Sequence, residues 1–335
     1  MRAFVVDGPY RAGVVEVEAP VPGAGQVVVD VERVGVCGTD VEFFTGEMAY
    51  LQQGHAGYPI RLGHEWCGTV SRVGSGVDPS WTGRRVTGDT MLGCGRCPRC
   101  RAGRHHVCAD RYEIGIRGGW PGALAEHLLV PVTALHPLPD TVGVVAGALV
   151  EPGGNALRAA SAALVAGDRV LIWGPGAIGL LAAQFALARG ARVDVVGKVD
   201  ASLALARELG VHRTFHADSP PSGPYDAVID ATNAAAVPQA ALDLVEPGGR
   251  VVYIGLAGGP SMIDTRTLVL KDVTAVGILS ASPGLRGAIE QYAERRVDPT
   301  PLVAATVGMD RVADVLAGWR PPGTAGPKIH VDPRA

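Results

Sequence analysis

Gly174-Pro175-Gly176-Ala177-Ile178-Gly179 follows the apolar run Val170-Leu171-Ile172-Trp173 and opens a helix-forming segment, Ile178 to Arg189. Few local patterns restrict a fold so tightly. Between a strand and a helix, G-x-G-x-x-G predicts a tight turn at Gly174 and room for a pyrophosphate against the backbone at Gly176. It also predicts close helix–strand packing at Gly179, with the free N–H groups around Ala177 and Ile178 at the helix N-terminus turned to the anion. The same alternation runs on: a strand at Arg192 to Val196, a helix at Ser202 to Leu209 closed by Gly210, then strands at Tyr225 to Ala231, Arg250 to Gly255 and Val273 to Ile278. Asn155 to Val165 reads as a helix before the series. Strands alternating with helices predict a parallel, doubly wound sheet.

The end of the second strand of such a unit selects the dinucleotide. An acid there accepts hydrogen bonds from the adenine ribose hydroxyls. Here the position falls on Gly197, followed by Lys198. A small residue and a cation suit a 2′-phosphate, so NADP is favoured over NAD. The alternative is that Asp194 or Asp200 turns in and NAD is preferred.

Length and composition bound the rest. A chain of 335 residues predicts roughly two domains of about 150 residues each. Before residue 150, short β-like runs such as Val27 to Val31 and Gly68 to Val73 are broken by Gly and Pro, which predicts a β-rich first domain. The charged fraction of 19% and net charge of −3 exclude a disordered chain and argue against a nucleic-acid binder held by a general positive field. Val170 to Ala188 carries no charge over nineteen residues, long enough to approach a membrane span, but Gly174-Pro175-Gly176 and Gly179 interrupt it. No positive region followed by a sustained apolar stretch opens the chain, so a soluble, cytoplasmic protein is expected.

Four of the six cysteines fall in Cys94-x2-Cys97-x2-Cys100-x7-Cys108. That spacing predicts a closed tetrahedral zinc site with no position for substrate, hence a structural one. Gly93, Gly95 and Gly103 let the backbone fold round the ion. Elsewhere Cys37 lies in Gly35-Val36-Cys37-Gly38-Thr39-Asp40, His64 and Glu65 in Gly63-His64-Glu65-Trp66-Cys67-Gly68, and Glu151 in Leu149-Val150-Glu151-Pro152. Singly these read as a buried thiol, a core histidine and a helix-start acid.

Together, in this order, the motifs resemble the zinc-containing medium-chain dehydrogenase/reductase superfamily, and within it the polyol and threonine dehydrogenase branch. The resemblance covers essentially the whole chain and implies a GroES-like β catalytic domain, 1–152 completed by 285–335, around a Rossmann domain at 153–284. It implies an active site in the cleft between them, where Cys37 and His64 hold a catalytic zinc with Glu151 or Glu65 as the carboxylate ligand. Cys67 is expected to be a buried thiol beside that site. Zinc there acts as a Lewis acid on an alcohol oxygen while hydride passes to the nicotinamide. Thr39 is expected to pass the alcohol proton outward. Many relatives carry a histidine two residues beyond Asp40; this chain has Glu42, and His55 is a candidate substitute. Gly153-Gly154-Asn155 replaces bulkier apolar residues, which either opens space near the metal or loosens a helix start.

The segment Phe43 to Ile60 mixes aromatic residues with Glu47, Gln52, Gln53 and His55, as a pocket for hydroxylated substrates would. The expected activity is hydride transfer between a secondary alcohol of a polyol, cyclitol or amino alcohol and NAD(P). One alternative is an NADPH-dependent reductase of a ketone, aldehyde or activated alkene. Another is a non-catalytic, zinc-stabilised NADPH-binding protein. By analogy the chain forms a homodimer or homotetramer, with Val251 to Ile278 supplying the edge.

Overall fold

The computed structural model describes residues 1–163 and 169–335. Among them the chain divides into two units, the first made of Met1–Glu151, Val303–Pro322 and Lys328–Ala335, the second of Pro152–Leu302 with Gly323–Pro327.

The first unit is organised by a seven-stranded sheet. Along its main path run Val303–Gly308, Lys328–Asp332, Gln26–Gly35, Glu65–Val73, Arg85–Gly88 and Leu135–Pro137, while His127–Pro131 also pairs with Gln26–Gly35. Alternation of apolar and polar residues along these strands puts Val27, Val29, Val31, Trp66 and Val70 into one core with Phe4, Phe43, Phe44, Leu62 and Leu124. The register decides what meets at the sheet's end. Gly35 lies opposite Glu65 on one side and His330 on the other. The loop leaving one strand at Cys37 and the strands starting at Glu65 and Lys328 are thereby brought side by side, although the last of these is almost 300 residues from the first.

The second unit holds an all-parallel six-stranded sheet in the order Arg213–His216, Arg192–Gly197, Arg169–Trp173, Tyr225–Asp230, Val245–Tyr253, Thr274–Gly277. This is the doubly wound sheet expected from the alternation, with the strand order reversing beside Arg169–Trp173. The short edge strand Arg213–His216 and the helices Val237–Leu244 and Thr265–Leu270 were not evident from pattern, since none is long enough to show a period. The charge-free stretch resolves into the strand and the helix Ala177–Leu187, in which Gly179 to Ala186 are all buried. A helix covered on all sides needs no charged face. No helix of the described residues is long and apolar enough to cross a membrane.

One boundary differs from the sequence expectation. The chain returns to the first unit at Val303 and not at 285, because the helix Leu285–Ala293 belongs to the second unit. Its Tyr292 ring stacks on Phe185 at 6.1 Å between centroids. Gly153 and Gly154 make this possible: a Cβ at Gly153 would stand 2.1 Å from the Tyr292 hydroxyl, and one at Gly154 would stand 2.9 Å from the Ala281 methyl. The glycine pair therefore serves helix packing within the second unit. The preceding helix, Val150–Ala163, covers most of the expected Asn155 to Val165; its last two residues, Leu164 and Val165, lie outside the described residues.

Candidate active site

Cys37 ends the approach from Gln26–Gly35 and caps the helix Gly38–Thr45. Its backbone N–H donates to the Asp40 carboxylate at 2.8 Å, which fixes both residues at the first turn. Gly63, at φ +98°, delivers the next ligand: a side chain there would meet the Leu124 backbone nitrogen at 2.7 Å. His64 and Glu65 follow, buried, and the ligand atoms of Cys37, His64 and Glu65 lie within 4.8 Å of one another.

The charges around this cluster are arranged for a cation. His64 Nδ1 lies 3.6 Å from Asp40 Oδ1, and both atoms are buried without a hydrogen-bond partner. Burial alone would lower the imidazole pKa, yet the Asp40 carboxylate and the Cys37 sulfur raise it well above the usual value. The site therefore favours positive charge at the imidazole, and a metal ion bound by that imidazole and the Cys37 thiolate would meet the same demand. Cys67 lies outside the group, fully buried, its thiol pushed up to about 12 chiefly by desolvation. It is buried, as expected, and its sulfur packs where Gly147 lacks a side chain.

The two candidate carboxylates differ sharply. Both Glu65 oxygens accept from the buried Lys328 ammonium, at 2.5 and 2.7 Å, and Lys328 also donates to the Val36 carbonyl at 3.1 Å. Burial alone would favour a neutral amine, but Glu65, Cys37 and Asp40 hold Lys328 charged. Gly35 makes room for the pair, since a Cβ there would fall 2.2 Å from Glu65 Oε2. Glu151, in the first turn of Val150–Ala163, is not a member of the three-residue cluster. Sequence reasoning missed Lys328. Its partner is 263 positions away, and nothing local marks the lysine. Asp40 stood within a quoted motif, but its link to His64 needs the fold.

The four-cysteine lobe is built as its spacing predicts. Cys97 caps the short helix Pro98–Arg101 and its sulfur accepts from the Cys100 N–H at 3.4 Å. All four sulfurs lie within 4.8 Å of one another, unbonded, with Cys97 and Cys108 at 3.8 Å. Zinc–sulfur bonds of about 2.3 Å place tetrahedral ligands about 3.8 Å apart, so the lobe fits that ion. Backbone N–H groups of Arg96 and Cys97 draw the Cys94 thiol down to about 6, towards the thiolate a metal needs.

The expected proton path starts at Thr39, half-buried in the first turn of Gly38–Thr45, with Glu42 three residues on and exposed. Partial desolvation, and then Glu47, raise the Glu42 carboxyl pKa. His55 is exposed, its ring edge-on to Tyr50 at 5.7 Å. In the segment Phe43 to Ile60, Phe43 and Phe44 are core residues, whereas Glu47, Gln52 and Gln53 are exposed.

In the second unit, the three glycines occupy three different environments. Gly174, at φ +95°, would place a Cβ 2.8 Å from the Ala231 carbonyl, and Gly179 would place one 1.9 Å from the Gly174 carbonyl. Gly176, which caps Ala177–Leu187, faces open space. At the next strand end, a Cβ on Gly197 would meet the Pro175 ring at 2.5 Å, so any side chain there would force that ring to move. Lys198 is exposed beside it. His216 pairs in register with Gly197, its Nε2 lying 3.0 Å from the Lys198 carbonyl oxygen. Asp194 is buried, accepting from Tyr225 at 2.8 Å and Arg213 at 2.7 Å. It has no freedom to turn towards a ribose, which removes one route to NAD.

Comparison with known proteins agrees with this geometry. Residues 23–140 match the alcohol dehydrogenase GroES-like domain, and residues 177–295 match the zinc-binding dehydrogenase domain. An L-threonine 3-dehydrogenase of Deinococcus deserti is 31% identical over 80% of this chain and 81% of its own length. A structure described as a zinc-binding dehydrogenase from Sinorhizobium meliloti 1021 bound to NADP superposes with a TM-score of 0.90 at 30% identity, covering 99% of each chain. Galactitol-1-phosphate dehydrogenase from Escherichia coli superposes at 0.87 with 26% identity, covering 99% of this chain and all of its own.

Proposed function

The chain belongs to the zinc-containing medium-chain dehydrogenases and reductases, on the threonine and polyol dehydrogenase-like branch, and within that zinc- and NAD(P)-dependent alcohol dehydrogenase activity we propose that it transfers hydride between a secondary alcohol of a polyhydroxylated small molecule and NADP. The observation that carries the reading is the Cys37–His64–Glu65 cluster, its histidine and acid buried, held between Asp40 and Lys328.

Cys37 and His64 hold the catalytic metal with Glu151 as the third ligand. The support for Glu151 is that both oxygens of Glu65 are already taken by Lys328. The catalytic zinc, when bound, supplies Lewis acidity at the alcohol or carbonyl oxygen. Cys94, Cys97, Cys100 and Cys108 hold a second, structural zinc. Asp40, 3.6 Å from Nδ1, orients the His64 ring as a neutral ligand. Thr39 takes the alcohol proton, and the exposed Glu42 hands it to solvent in place of the missing histidine. Its raised pKa brings it nearer to neutral pH, where a proton acceptor works best.

Gly174, Gly176, Ala177, Ile178 and Gly179 receive the pyrophosphate. Gly197 presents no carboxylate to repel a 2′-phosphate, and the exposed Lys198 beside it is the cationic partner. Support for NADP comes from the absence of an acid at Gly197 and the commitment of Asp194 elsewhere. Support for a hydroxylated substrate comes from the exposed polar residues Glu47, Gln52 and Gln53, and from relatives named for threonine and galactitol 1-phosphate. A second copy pairs along the sheet edge Thr274–Gly277, near which Leu256, Met262, Val269 and Leu270 are 79–87% exposed.

The test is reduced-nicotinamide absorbance across polyols, inositols, amino cyclitols, threonine and simple secondary alcohols, with NADP and NAD, before and after chelation. Chelator-sensitive turnover of one hydroxylated class with NADP is expected. Turnover confined to simple alcohols, or a preference for NAD, would overturn the proposal. Silence with NADPH still bound would point to a reductase.

A further inference from the structure

A cavity of about 440 Å³ opens in the first unit and shares no lining residue with the Cys37–His64–Glu65 cluster. It is lined among others by Arg61, Tyr112, Gly118, Trp120, Pro121 and Glu18. Its volume is within the range of about 300–1,000 Å³ usual for small-molecule sites.

Arg61 is the unusual member. Its Nε is shielded from solvent and has no hydrogen-bond partner among the described residues. Burial draws its pKa down to about 10. Lys328, the fully buried cation, has Glu65 against it. A half-buried guanidinium with its Nε shielded and unpaired gains from an anion delivered by a ligand, which two parallel N–H donors can hold. Backbone pairing fixes the residue in place, since its carbonyl accepts from the Gly122 N–H at 2.8 Å.

The walls are aromatic and already set. Trp120 donates its indole N–H to the Leu129 carbonyl at 3.0 Å. Tyr112 meets it edge-on, with centroids 5.8 Å apart at 61°. The Tyr112 ring in turn lies where Gly118 has no side chain, a Cβ there falling 2.5 Å from the ring. Little side-chain entropy is left to lose on binding. Glu18, exposed among the lining residues, repels a second negative charge and so disfavours phosphates.

We propose that this cavity is a second ligand site, taking a small aromatic monocarboxylate with its carboxylate on Arg61 and its ring against Trp120 and Tyr112. A guanidinium pairs a carboxylate through two parallel N–H donors, and an aromatic ring is the body that these walls accept.

Calorimetric titration of the zinc-loaded protein with benzoate, its neutral isostere benzamide and inorganic phosphate tests this. Saturable benzoate binding is expected, at least tenfold tighter than benzamide or phosphate. Arg61→Met should weaken benzoate at least tenfold while leaving alcohol turnover intact. Trp120→Leu should also weaken it, as an independent variant should Arg61→Met not fold. Benzoate could alternatively reach the catalytic metal, so the titration is repeated on Cys37→Ser, where binding should be unchanged. Absence of benzoate binding, equal binding of benzamide, tighter binding of phosphate, indifference to both cavity variants, or loss of binding in Cys37→Ser would each overturn the assignment.

Discussion

At the scale of single residues, the site rests on charges that have exchanged water for one another. Lys328 and Glu65 are both buried, and each is the other's main solvation. Lys328→Met would leave the carboxylate buried and unpaired, which costs about 3–5 kcal/mol in comparable pairs; urea unfolding of the protein should show a loss of that order. Cys37→Ser acts differently. It should abolish turnover and lower bound metal by one equivalent while NADPH still binds, measured by fluorescence and metal analysis. Glu151→Ala should likewise release one metal, more readily than Glu65→Ala. Cys67 offers a pH test. A thiol whose pKa is pushed up to about 12 is protonated through neutral and mildly basic conditions, and at pH 9 only about one molecule in a thousand carries the thiolate. Mass spectrometry after iodoacetamide at pH 9 should find Cys67 unmodified in the folded protein and alkylated once unfolded.

At the scale of elements, the Gly-rich turn separates folding from binding. Gly179→Ala puts a methyl 1.9 Å from the Gly174 carbonyl, so the helix Ala177–Leu187 must shift from its strand. A loss of about 1–3 kcal/mol is expected, with NADPH binding lost alongside. Gly176→Ala places the same methyl in open space. It should leave the melting temperature within a degree or two and weaken NADPH at least tenfold, because the added carbon occupies the pyrophosphate's approach. Equal effects of the two variants on stability would show that the environments are misassigned. The cysteine lobe is also tied to the segment Phe43 to Ile60. Arg111 donates to the Cys108 carbonyl at 3.1 Å, to Glu113 at 2.8 Å and to the Tyr50 hydroxyl at 3.2 Å. Arg111→Ala should therefore raise KM for the alcohol several-fold with a smaller change in kcat, and steady-state kinetics on the zinc-loaded enzyme would show the split.

For the whole molecule, the proposed pairing along Thr274–Gly277, beside exposed apolar residues, predicts that Val269→Asp shifts light-scattering mass towards the monomer without abolishing NADPH binding. Much of this protein was legible in its sequence because the decisive features are local. Gly174 to Gly179, the Cys94–Cys108 spacing and the strand–helix alternation are each set within a few residues by backbone sterics, ligand geometry or burial period. They determined the doubly wound sheet, the metal lobe and the nucleotide turn. Short elements such as Arg213–His216 were lost because four residues carry no period. Charge partnership was lost for another reason: which carboxylate meets which cation depends on strand register and on which chain ends are brought together. Only the tertiary structure set Lys328 against Glu65, tied Asp194 to Arg213 and Tyr225, turned Gly153 and Gly154 to Tyr292 and Ala281, and left Arg61 Nε shielded without a hydrogen-bond partner among the described residues. Electrostatics and packing act through space, and the sequence records distance only along the chain.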